Sequence, residues 1–179
     1  MFAFVSGNLA LDFAGTVKAR ATTFDDHLCT PADLADWFVA ADLLDGEPPC
    51  DAAILDRAVR LREAVYRLAL AAARDDPFTD ADRGIVNELA VGELPWLALQ
   101  SDATLIRTGT PDAAIAAVAR AAVEMLGGPD RQLIKECGRP ECTRLYIDTS
   151  RGKSRRWCDM TLCGNRAKSA AFRARQAAD

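Results

Sequence analysis

Cys137-Gly138-Arg139-Pro140-Glu141-Cys142 and Cys158-Asp159-Met160-Thr161-Leu162-Cys163 are the two stretches that decide how the C-terminal part of the chain folds. Each stretch has four residues between its cysteines, and 15 residues separate the two pairs. Two close pairs of thiols with a short excursion between them are the ligand pattern of a tetrahedral zinc ion. The spacing therefore predicts one structural Zn²⁺, with Cys137, Cys142, Cys158 and Cys163 as its ligands.

Two other interpretations of these cysteines stay open. Disulfide bonds need an oxidising compartment, and the N-terminus, whose first basic residue is Lys18, lacks the charged start of a secretion signal. A redox switch is the second alternative, because thiolates among arginines are activated towards oxidation and could then release zinc. The other two cysteines, Cys29 and Cys50, lie far apart in the sequence, and we expect them to be ordinary core or surface residues.

The residues around the four cysteines predict a small module with a hairpin and a helix. Leu145 to Asp148 is expected to form a strand, residues 149–153 a turn, and Arg155 to Trp157 a returning second strand. A final helix is expected to run from near Gly164 to Ala178. Cysteine knuckles, a hairpin and a helix that supplies the last ligand make a treble-clef-like zinc finger.

Three residues of this module have predicted structural roles. Trp157 is expected to pack over the cysteines as the core of the module, together with Leu145 and Phe172. Gly164 lets the backbone turn tightly into the helix, where a side chain would crowd the metal loop. Asn165 is expected to cap the helix start by accepting from backbone N–H groups, or to bridge to a thiolate.

Charge divides the chain into two unlike parts. Residues 1–134 hold 11 Lys and Arg against 21 Asp and Glu, a net charge of −10, whereas residues 135–179 hold 11 against 5, a net charge of +6. Four thiolates and one zinc ion lower the tail to about +4, which is still basic. A basic tail on an acidic body is typical of a protein that binds a polyanion. The alternatives are a tail that packs against its own body and a basic surface that serves solubility alone.

DNA is the polyanion that we expect this tail to bind. On a helix, residues seven apart align, so Arg166 and Arg173 are expected to share one face, and Lys168 and Arg175 another. Such side chains suit phosphate contact and predict duplex binding without a base code. The candidates are Arg151, Lys153, Arg155, Arg156, Arg166, Lys168, Arg173 and Arg175.

Residues 1–128 predict an acidic, mostly helical domain. Asp51 to Arg74 carries the strongest helical periodicity of apolar residues. Thr30-Pro31 and Thr110-Pro111 each pair a capping residue with a first-turn proline, which predicts helices that reach Leu44 and Leu126. Thr79 is expected to cap a shorter helix. The fold class is therefore mainly α within an α+β chain.

A β-hairpin and a break complete the predicted architecture. Leu97 and Leu99, then Thr104 and Ile106, have the alternation of two short strands. The Gly127-Gly128-Pro129 break ends the last helix of the body. It predicts a boundary between an N-terminal domain at 1–128 and the zinc finger at 129–179.

The sequence argues against a membrane protein and against an enzyme. No apolar stretch is long enough to span a bilayer, so we expect a soluble, cytoplasmic protein. The single histidine, His27, lies among acidic residues and is expected to be an exposed loop residue. Four cysteines leave zinc no open position for a catalytic water. Carboxylate pairs such as Asp25-Asp26 are expected to be turn residues, and we predict no catalytic residue.

The run from Cys158 to Lys168, with Cys163-Gly164-Asn165-Arg166 at its centre, closely resembles the CGNR zinc-finger family. Asp148 after an apolar strand and Arg155-Arg156-Trp157 before the third cysteine fit the same family. The resemblance implies a bacterial transcription regulator with a C-terminal zinc finger.

The N-terminal part resembles the ABATE-type domain of stress-induced regulators through Leu9-Ala10-Leu11-Asp12-Phe13 and Leu34-x-x-Trp37. Members of that family commonly have an asparagine two residues after the Asp-Phe pair. In this chain Gly15 stands at that place.

These observations favour a zinc-containing transcription regulator whose C-terminal finger binds DNA. Its N-terminal domain is expected to sense a small-molecule ligand that the sequence does not identify, or to form a homodimer. The alternatives are a zinc-dependent protein-interaction adaptor and a thiol redox sensor. The sequence gives no DNA site, no stress signal and no sign of activation against repression.

Overall fold

The computed structural model describes residues 2–176, without the side chains at positions 171, 172, 174 and 175. The chain begins with a short buried helix, α1 (Leu9–Ala14), to which the sequence analysis had assigned no structure. Asn8 caps it by accepting from the N–H of Ala10 at 2.9 Å. A two-residue antiparallel ladder follows, with β1 at Val17–Lys18 and β2 at Asp25–Asp26.

Four longer helices build the body; three of them start at a cap that the sequence predicted, and the fourth is capped by Asp51, the first residue of the predicted helix. They are α2 (Pro31–Ala40), α3 (Ala52–Arg74), α4 (Asp80–Ala90) and α5 (Pro111–Gly127), capped by Thr30, Asp51, Thr79 and Thr110. The side-chain oxygens of these caps accept from the third N–H of each helix, as helix N-termini require. The prediction that α2 reaches Leu44 was wrong, because the chain turns at Asp42, whose φ is +56°.

The core of the body lies between α1, α3 and α5. The apolar stripe of α3 faces α1 and α5, and Trp37 of α2 closes one end of the core with no exposed surface. The Phe13 and Trp37 rings lie 4.6 Å apart at their centroids, within the range of a favourable aromatic pair. Because α1 is packed inside this core, its polar side chain, the Asp12 carboxylate, is held at a fixed position.

The predicted hairpin is present as β3 (Trp96–Leu99) and β4 (Leu105–Thr108), paired antiparallel with Leu97 opposite Arg107. Asp45, from the loop between α2 and α3, covers the outer edge of β4. Its N–H donates to the carbonyl of Arg107 at 3.0 Å, and its carboxylate accepts from the Arg107 N–H at 2.7 Å. In the part of the chain that the structure describes, no comparable loop covers the outer edge of β3.

The C-terminal module begins with a 3₁₀ turn at Pro129–Leu133 and a second antiparallel pair, β5 (Ile134–Glu136) and β6 (Leu145–Ile147). The prediction that Arg155 to Trp157 forms the second strand was wrong. Strand β5 takes that place, and residues 154–156 run as irregular chain. A π-helical turn at Met160–Gly164 then leads into α6 (Asn165–Gln176). The predicted helix end at Ala178 lies outside the described residues.

The new pair of strands packs on the body. Ile134, Leu145 and Ile147 belong to the same hydrophobic core as α1, α3 and α5. Leu145 therefore packs in the body and not, as predicted, beside the cysteines. The domain boundary at 128/129 stays a prediction. Helices with small antiparallel sheets and a four-cysteine cluster confirm the predicted fold class.

None of the helices in residues 2–176 combines the length and the apolar character that a bilayer span requires.

Candidate metal centre and basic surface

The four predicted ligands meet at one point. The sulfurs of Cys137, Cys142, Cys158 and Cys163 all lie within 4.8 Å of one another. Two of the separations are 3.8 Å, between Cys142 and Cys158, and 3.6 Å, between Cys158 and Cys163. A Zn–S bond of about 2.3 Å in a tetrahedron puts the sulfurs about 3.8 Å apart. The donor set and its spacing therefore fit one zinc ion held by four thiolates.

Backbone hydrogen bonds of the first cysteine pair hold its knuckle in shape. Cys137 donates its N–H to the carbonyl of Arg144 at 3.0 Å, which closes the loop at the end of the β5–β6 ladder. Cys142 donates its N–H to the carbonyl of Arg139 at 2.9 Å and makes the tight turn inside it. The hairpin thus flanks the first pair, whereas the sequence analysis had placed it between the two pairs.

The second pair of cysteines lies in a turn and in the short segment that leads into it. Cys163 lies in the π-helical turn that precedes α6, and Cys158 comes just ahead of that turn. Asp159 caps the turn by accepting from the N–H of Leu162 at 2.7 Å, and its carboxylate also accepts from the Thr161 hydroxyl. Gly138 donates to the carbonyl of Arg156 at 2.8 Å, which ties the two cysteine-bearing segments together.

The crowded thiols affect one another's ionisation. Hydrogen bonding to Cys137 raises the pKa of Cys142 to about 11, and hydrogen bonds from the neighbouring thiols lower the pKa of Cys137. The same thiols, with burial, raise the pKa of Cys158. Zinc binds thiolates, so it must displace the protons that this cluster holds at neutral pH.

Cationic and aromatic groups surround the sulfurs. The Arg139 guanidinium, which is paired with Glu141 at 2.8 Å, lies close enough to Cys163 for charge attraction, so it offsets part of the net negative charge of a zinc tetrathiolate. Tyr146 is fully buried beside the cysteines, and its hydroxyl donates to the carbonyl of Arg155 at 2.6 Å. Burial is the main cause that raises the pKa of Tyr146 to about 12.

The three residues with predicted structural roles lie around this centre. Trp157 packs against the cysteine cluster. A Cβ on Gly164 would lie 2.9 Å from the sulfur of Met160 and 3.3 Å from the Trp157 ring, so the absence of a side chain leaves room for both. Asn165 neither accepts from the helix start nor reaches a thiolate; its amide donates to the carbonyl of Thr161 at 3.0 Å. The side chain of Phe172 lies outside the described residues.

Six of the eight predicted phosphate-binding side chains are exposed, and they are Arg151, Lys153, Arg156, Arg166, Lys168 and Arg173. Within residues 2–176 none of the six forms an ion pair. Arg166 and Arg173 line one groove, together with Arg139, Glu141, Asn165 and Ser169, and the Glu141 carboxylate is paired with Arg139 at 2.8 Å. The side chain of Arg175 lies outside the described residues.

Arg155 is placed differently from the prediction. Its guanidinium turns inward, donates to the carbonyls of Val5, Trp157 and Cys158, and lies 4.6 Å over the ring of Tyr146. With its donors directed at carbonyls, this side chain joins the zinc module to the N-terminal segment and does not face outward like the other candidates. The sequence could not distinguish it from Arg156, because adjacent residues in an irregular segment follow no period.

Arg144 is a residue that the sequence analysis missed. It lies two residues after a zinc ligand, yet its side chain is buried in the body, where it donates to the carbonyls of Ala3 and Gly15 at 3.1 and 3.0 Å. It also donates to the Ser6 hydroxyl at 3.2 Å and lies 3.6 Å from the Asp12 carboxylate. Burial raises the pKa of Asp12, and the N–H groups of Val5 and Ser6 together with Arg144 offset only part of that effect.

Gly15 makes room for this guanidinium. A Cβ at position 15 would lie 2.5 Å from the Arg144 Nη1 atom. The cavity that remains beside Gly15 and Asp12 measures about 10 Å³, which is enough for about one water molecule. The Arg144 guanidinium therefore occupies the space that a side chain at position 15 would need.

Asp148 organises the loop that carries the basic residues 151–156. Its buried carboxylate accepts from the Lys135 ammonium at 2.7 Å, from the Ser150 N–H and hydroxyl, and from the Arg155 N–H at 3.1 Å. The Lys135 and Ser150 hydrogen bonds hold the pKa of Asp148 well below its usual value. This loop is thereby held at a fixed place on the zinc module.

Two predictions about the acidic body were wrong. Asp25 and Asp26 form strand β2, and Asp26 accepts two hydrogen bonds, at 2.7 and 2.8 Å, from the fully buried Arg62. His27 is partly buried beside Asp25, at 3.3 Å, and is not an exposed loop residue. Arg62 lies on the apolar face of α3, four residues after Ala58 and three before Val65, and this position is the sequence signal that could have separated it from the exposed arginines of that helix.

Comparison with known families gives two matches that together cover most of the chain. Residues 7–129 match the family ABATE, described as "Putative stress-induced transcription regulator", and residues 134–176 match the CGNR zinc finger. Neither match describes an enzyme. A search of curated proteins finds no match. The zinc-finger match and the four converging sulfurs identify one structural Zn²⁺ as the cofactor.

Proposed function

We propose that the zinc finger of this chain binds duplex DNA. The chain belongs to the ABATE family of stress-induced transcription regulators and contains a CGNR zinc finger, and both matches suit this role. The observation that carries the proposal is the contrast between two sets of basic residues. Seven of the ten arginines in residues 1–134 form ion pairs with acidic side chains. Among the described residues from 135 onward, Lys135, Arg139 and Arg144 also form ion pairs, whereas the six exposed cations of the finger have no such partner.

The arrangement of these cations suits a phosphate backbone. Arg166 and Arg173 line one groove, and Arg151 and Arg156 add exposed positive charge on the loop that precedes Cys158. No acidic residue interrupts α6, so its exposed surface carries one sign of charge. Phosphate contacts of this kind position a protein on DNA without reading its sequence. We therefore propose binding that is mainly electrostatic.

The inward-facing arginines are not part of this DNA surface. Arg144 and Arg155 hold the finger on the N-terminal segment, so we exclude both from the proposed contact set. Lys153 stays in the set because its ammonium is exposed, although its carbonyl accepts from Lys135. A regulator of this kind would work in the cytoplasm, where the DNA of a bacterial cell lies.

A salt titration tests the proposal. Fluorescence anisotropy with a labelled random-sequence duplex measures the affinity of the zinc-loaded chain between about 50 and 200 mM salt. If the six side chains each neutralise one phosphate, the logarithm of the affinity should fall linearly with a slope of about −5. Absence of duplex binding at low salt, or a slope near zero, would contradict the proposal.

A pair of matched variants identifies the surface. Arg156→Ala combined with Arg166→Ala should weaken binding to all sequences alike and make the salt slope less steep by about 2. Arg60→Ala combined with Arg83→Ala removes the same charge from exposed positions of α3 and α4 and should leave both quantities unchanged. Zinc content should be the same in both variants. Equal losses of affinity would mean that overall charge, and not this surface, governs binding.

A further inference from the structure

Strand β3 has an open edge with unused backbone groups. Arg107, opposite Leu97, directs its N–H and C=O away from β3 and towards Asp45. In an antiparallel pair, two directly opposed residues direct their backbone groups alike, either towards each other or apart. Leu97 and, two residues on, Leu99 therefore present their N–H and C=O groups to the outside. In residues 2–176, nothing beyond the hairpin bonds to these groups.

This edge also lacks the features that prevent an edge strand from pairing with a strand of another molecule. Strand β3 reads Trp96-Leu97-Ala98-Leu99 and contains no charge, proline or bulge. Leu97 is 59% exposed and Leu99 is 78% exposed, although both are large apolar residues. A flat apolar edge of this kind is a template for another strand.

The edge is complementary to itself. If two copies of β3 meet antiparallel with Ala98 on the two-fold axis, Leu97 of each copy faces Leu99 of the other. The outward N–H and C=O groups of these residues then form four hydrogen bonds, two at each Leu97–Leu99 pair. Pro95, which has no N–H, limits the ladder just beyond this centre. A two-fold contact requires such self-complementarity, since one patch must fit its own copy.

Apolar burial accompanies these hydrogen bonds. Leu97 and Leu99 point to the same face of the strand, and Leu105 lies beside Leu99 on that face. Pairing brings six leucines, three from each copy, into one cluster. Trp96, which is 64% exposed, points to the opposite face of the strand, where pairing would bring it beside Gln100 of the other copy. The exposed parts of the three leucines and of Trp96 sum to several hundred Å² per copy, which is smaller than the roughly 800 Å² of a standard interface, so the strand hydrogen bonds must supply part of the association.

We infer that the chain forms a two-fold symmetric homodimer through β3, with the two hairpins joined into one four-stranded sheet in the order β4-β3-β3-β4. A dimer would place two zinc fingers in one particle and so double the phosphate contacts of the proposed function. The inference does not depend on DNA, and its tests contain none, so either proposal can fail alone.

Sedimentation of the zinc-loaded chain over low to high micromolar concentrations measures the association. The wild type should sediment as a dimer. Leu99→Lys buries an ammonium against the facing leucine and should weaken dimerisation at least about tenfold. Leu99→Pro removes one outward N–H and should weaken it as well. The matched control is Val91→Lys at an equally exposed position outside the strand, and it should remain dimeric. A monomeric wild type, or equal effects at positions 91 and 99, would overturn the inference.

Cross-linking tests the register. On the two-fold axis the Cα atoms of two Ala98 residues would lie about 4.5 Å apart, within the range that a disulfide spans. Ala98→Cys should therefore give a covalent dimer under mild oxidation with zinc bound. Gln100→Cys lies two residues from the axis, so its copies would be too far apart, at about 13 Å. Equal cross-linking of the two variants, or none at position 98, would contradict this register.

Discussion

Arg144 connects the zinc site to the start of the chain at the scale of a single residue. It lies two residues after the zinc ligand Cys142, and its carbonyl accepts from the N–H of Cys137, while its guanidinium bonds to Ala3, Ser6 and Gly15 and faces Asp12. A buried guanidinium of this kind is costly to remove, because the facing carboxylate then remains buried without a partner. Arg144 therefore couples the position of the knuckle to the fold of the first sixteen residues.

Arg144→Ala should lower the free energy of unfolding by about 3–5 kcal/mol at neutral pH. Burial already raises the pKa of Asp12, and loss of Arg144 raises it further. A carboxyl whose pKa is raised in the folded state favours the fold when protonated, so the deficit of the variant should shrink as the pH falls. Urea unfolding of variant and wild type at neutral pH and at about pH 5 measures this difference. A deficit that grows on acidification would show that Asp12 is not the group involved.

Gly15 provides the control for this interpretation. Gly15→Ala places a methyl group on the Arg144 guanidinium and should destabilise the wild type. In the Arg144→Ala background the same change meets no guanidinium, so it should cost close to nothing. A double-mutant cycle from urea unfolding should therefore give a coupling energy of at least about 1 kcal/mol. Additive effects would mean that Gly15 is needed for another reason.

At the scale of elements, local signals succeeded and long-range ones failed. Thr30, Thr79 and Thr110 predicted three helix starts, because a cap acts within one turn of its own helix, and apolar periodicity predicted the start of α3. The four cysteines predicted the metal centre, because the ion fixes their spacing. The predicted partner of β6 was wrong. Arg155 to Trp157 has the composition of a strand, but β5 pairs with β6 because its Ile134 packs in the core of the body. No local sequence pattern shows which segment of the C-terminal module will be buried against the body.

The zinc-binding elements should respond to pH. The folded thiol cluster holds protons at neutral pH, since neighbouring thiols raise the pKa of Cys142 to about 11 and also raise that of Cys158. Zinc must displace these protons, so its affinity should increase with pH through the neutral range. Calorimetry in buffers of different ionisation enthalpy should detect a net release of protons to the buffer. Binding without proton release would mean that the cluster is already ionised before zinc arrives.

At the scale of the whole molecule, the finger and the body share one interface. Ile134, Leu145 and Ile147 pack in the core of the body, and Arg74 on α3 binds Glu136 on β5 at 2.7 and 2.9 Å. The inward arginines add a third set of contacts between the two parts. Charge composition alone divides the chain into an acidic and a basic part, and it cannot show that β5 and β6 pack on the acidic one.

Cys158→Ser should therefore affect more than the finger. Loss of a ligand should abolish stoichiometric zinc binding and unfold α6, because zinc affinity is folding energy for so small a module. The body should stay folded, with a midpoint of thermal unfolding several degrees lower, since Arg144 is no longer held by the knuckle. Far-UV circular dichroism during heating follows both changes.

The matched control is Cys29→Ser, which removes an exposed thiol from the body and should change neither zinc content nor the melting midpoint. An unshifted body in Cys158→Ser would mean that the two parts are energetically independent. Complete unfolding would mean that the body cannot fold without the metal centre.

Asp45 limits the size of any assembly that the hairpin can form. A ribbon with two exposed sides can keep adding identical neighbours and grow into a fibre. Asp45 occupies the side formed by β4 with both its main chain and its carboxylate, so only the side formed by β3 remains available. Growth then stops after one addition. Asp45→Ala would remove the carboxylate part of this cover and free the Arg107 N–H, so it should lower solubility by favouring polymerisation while the helical core stays folded.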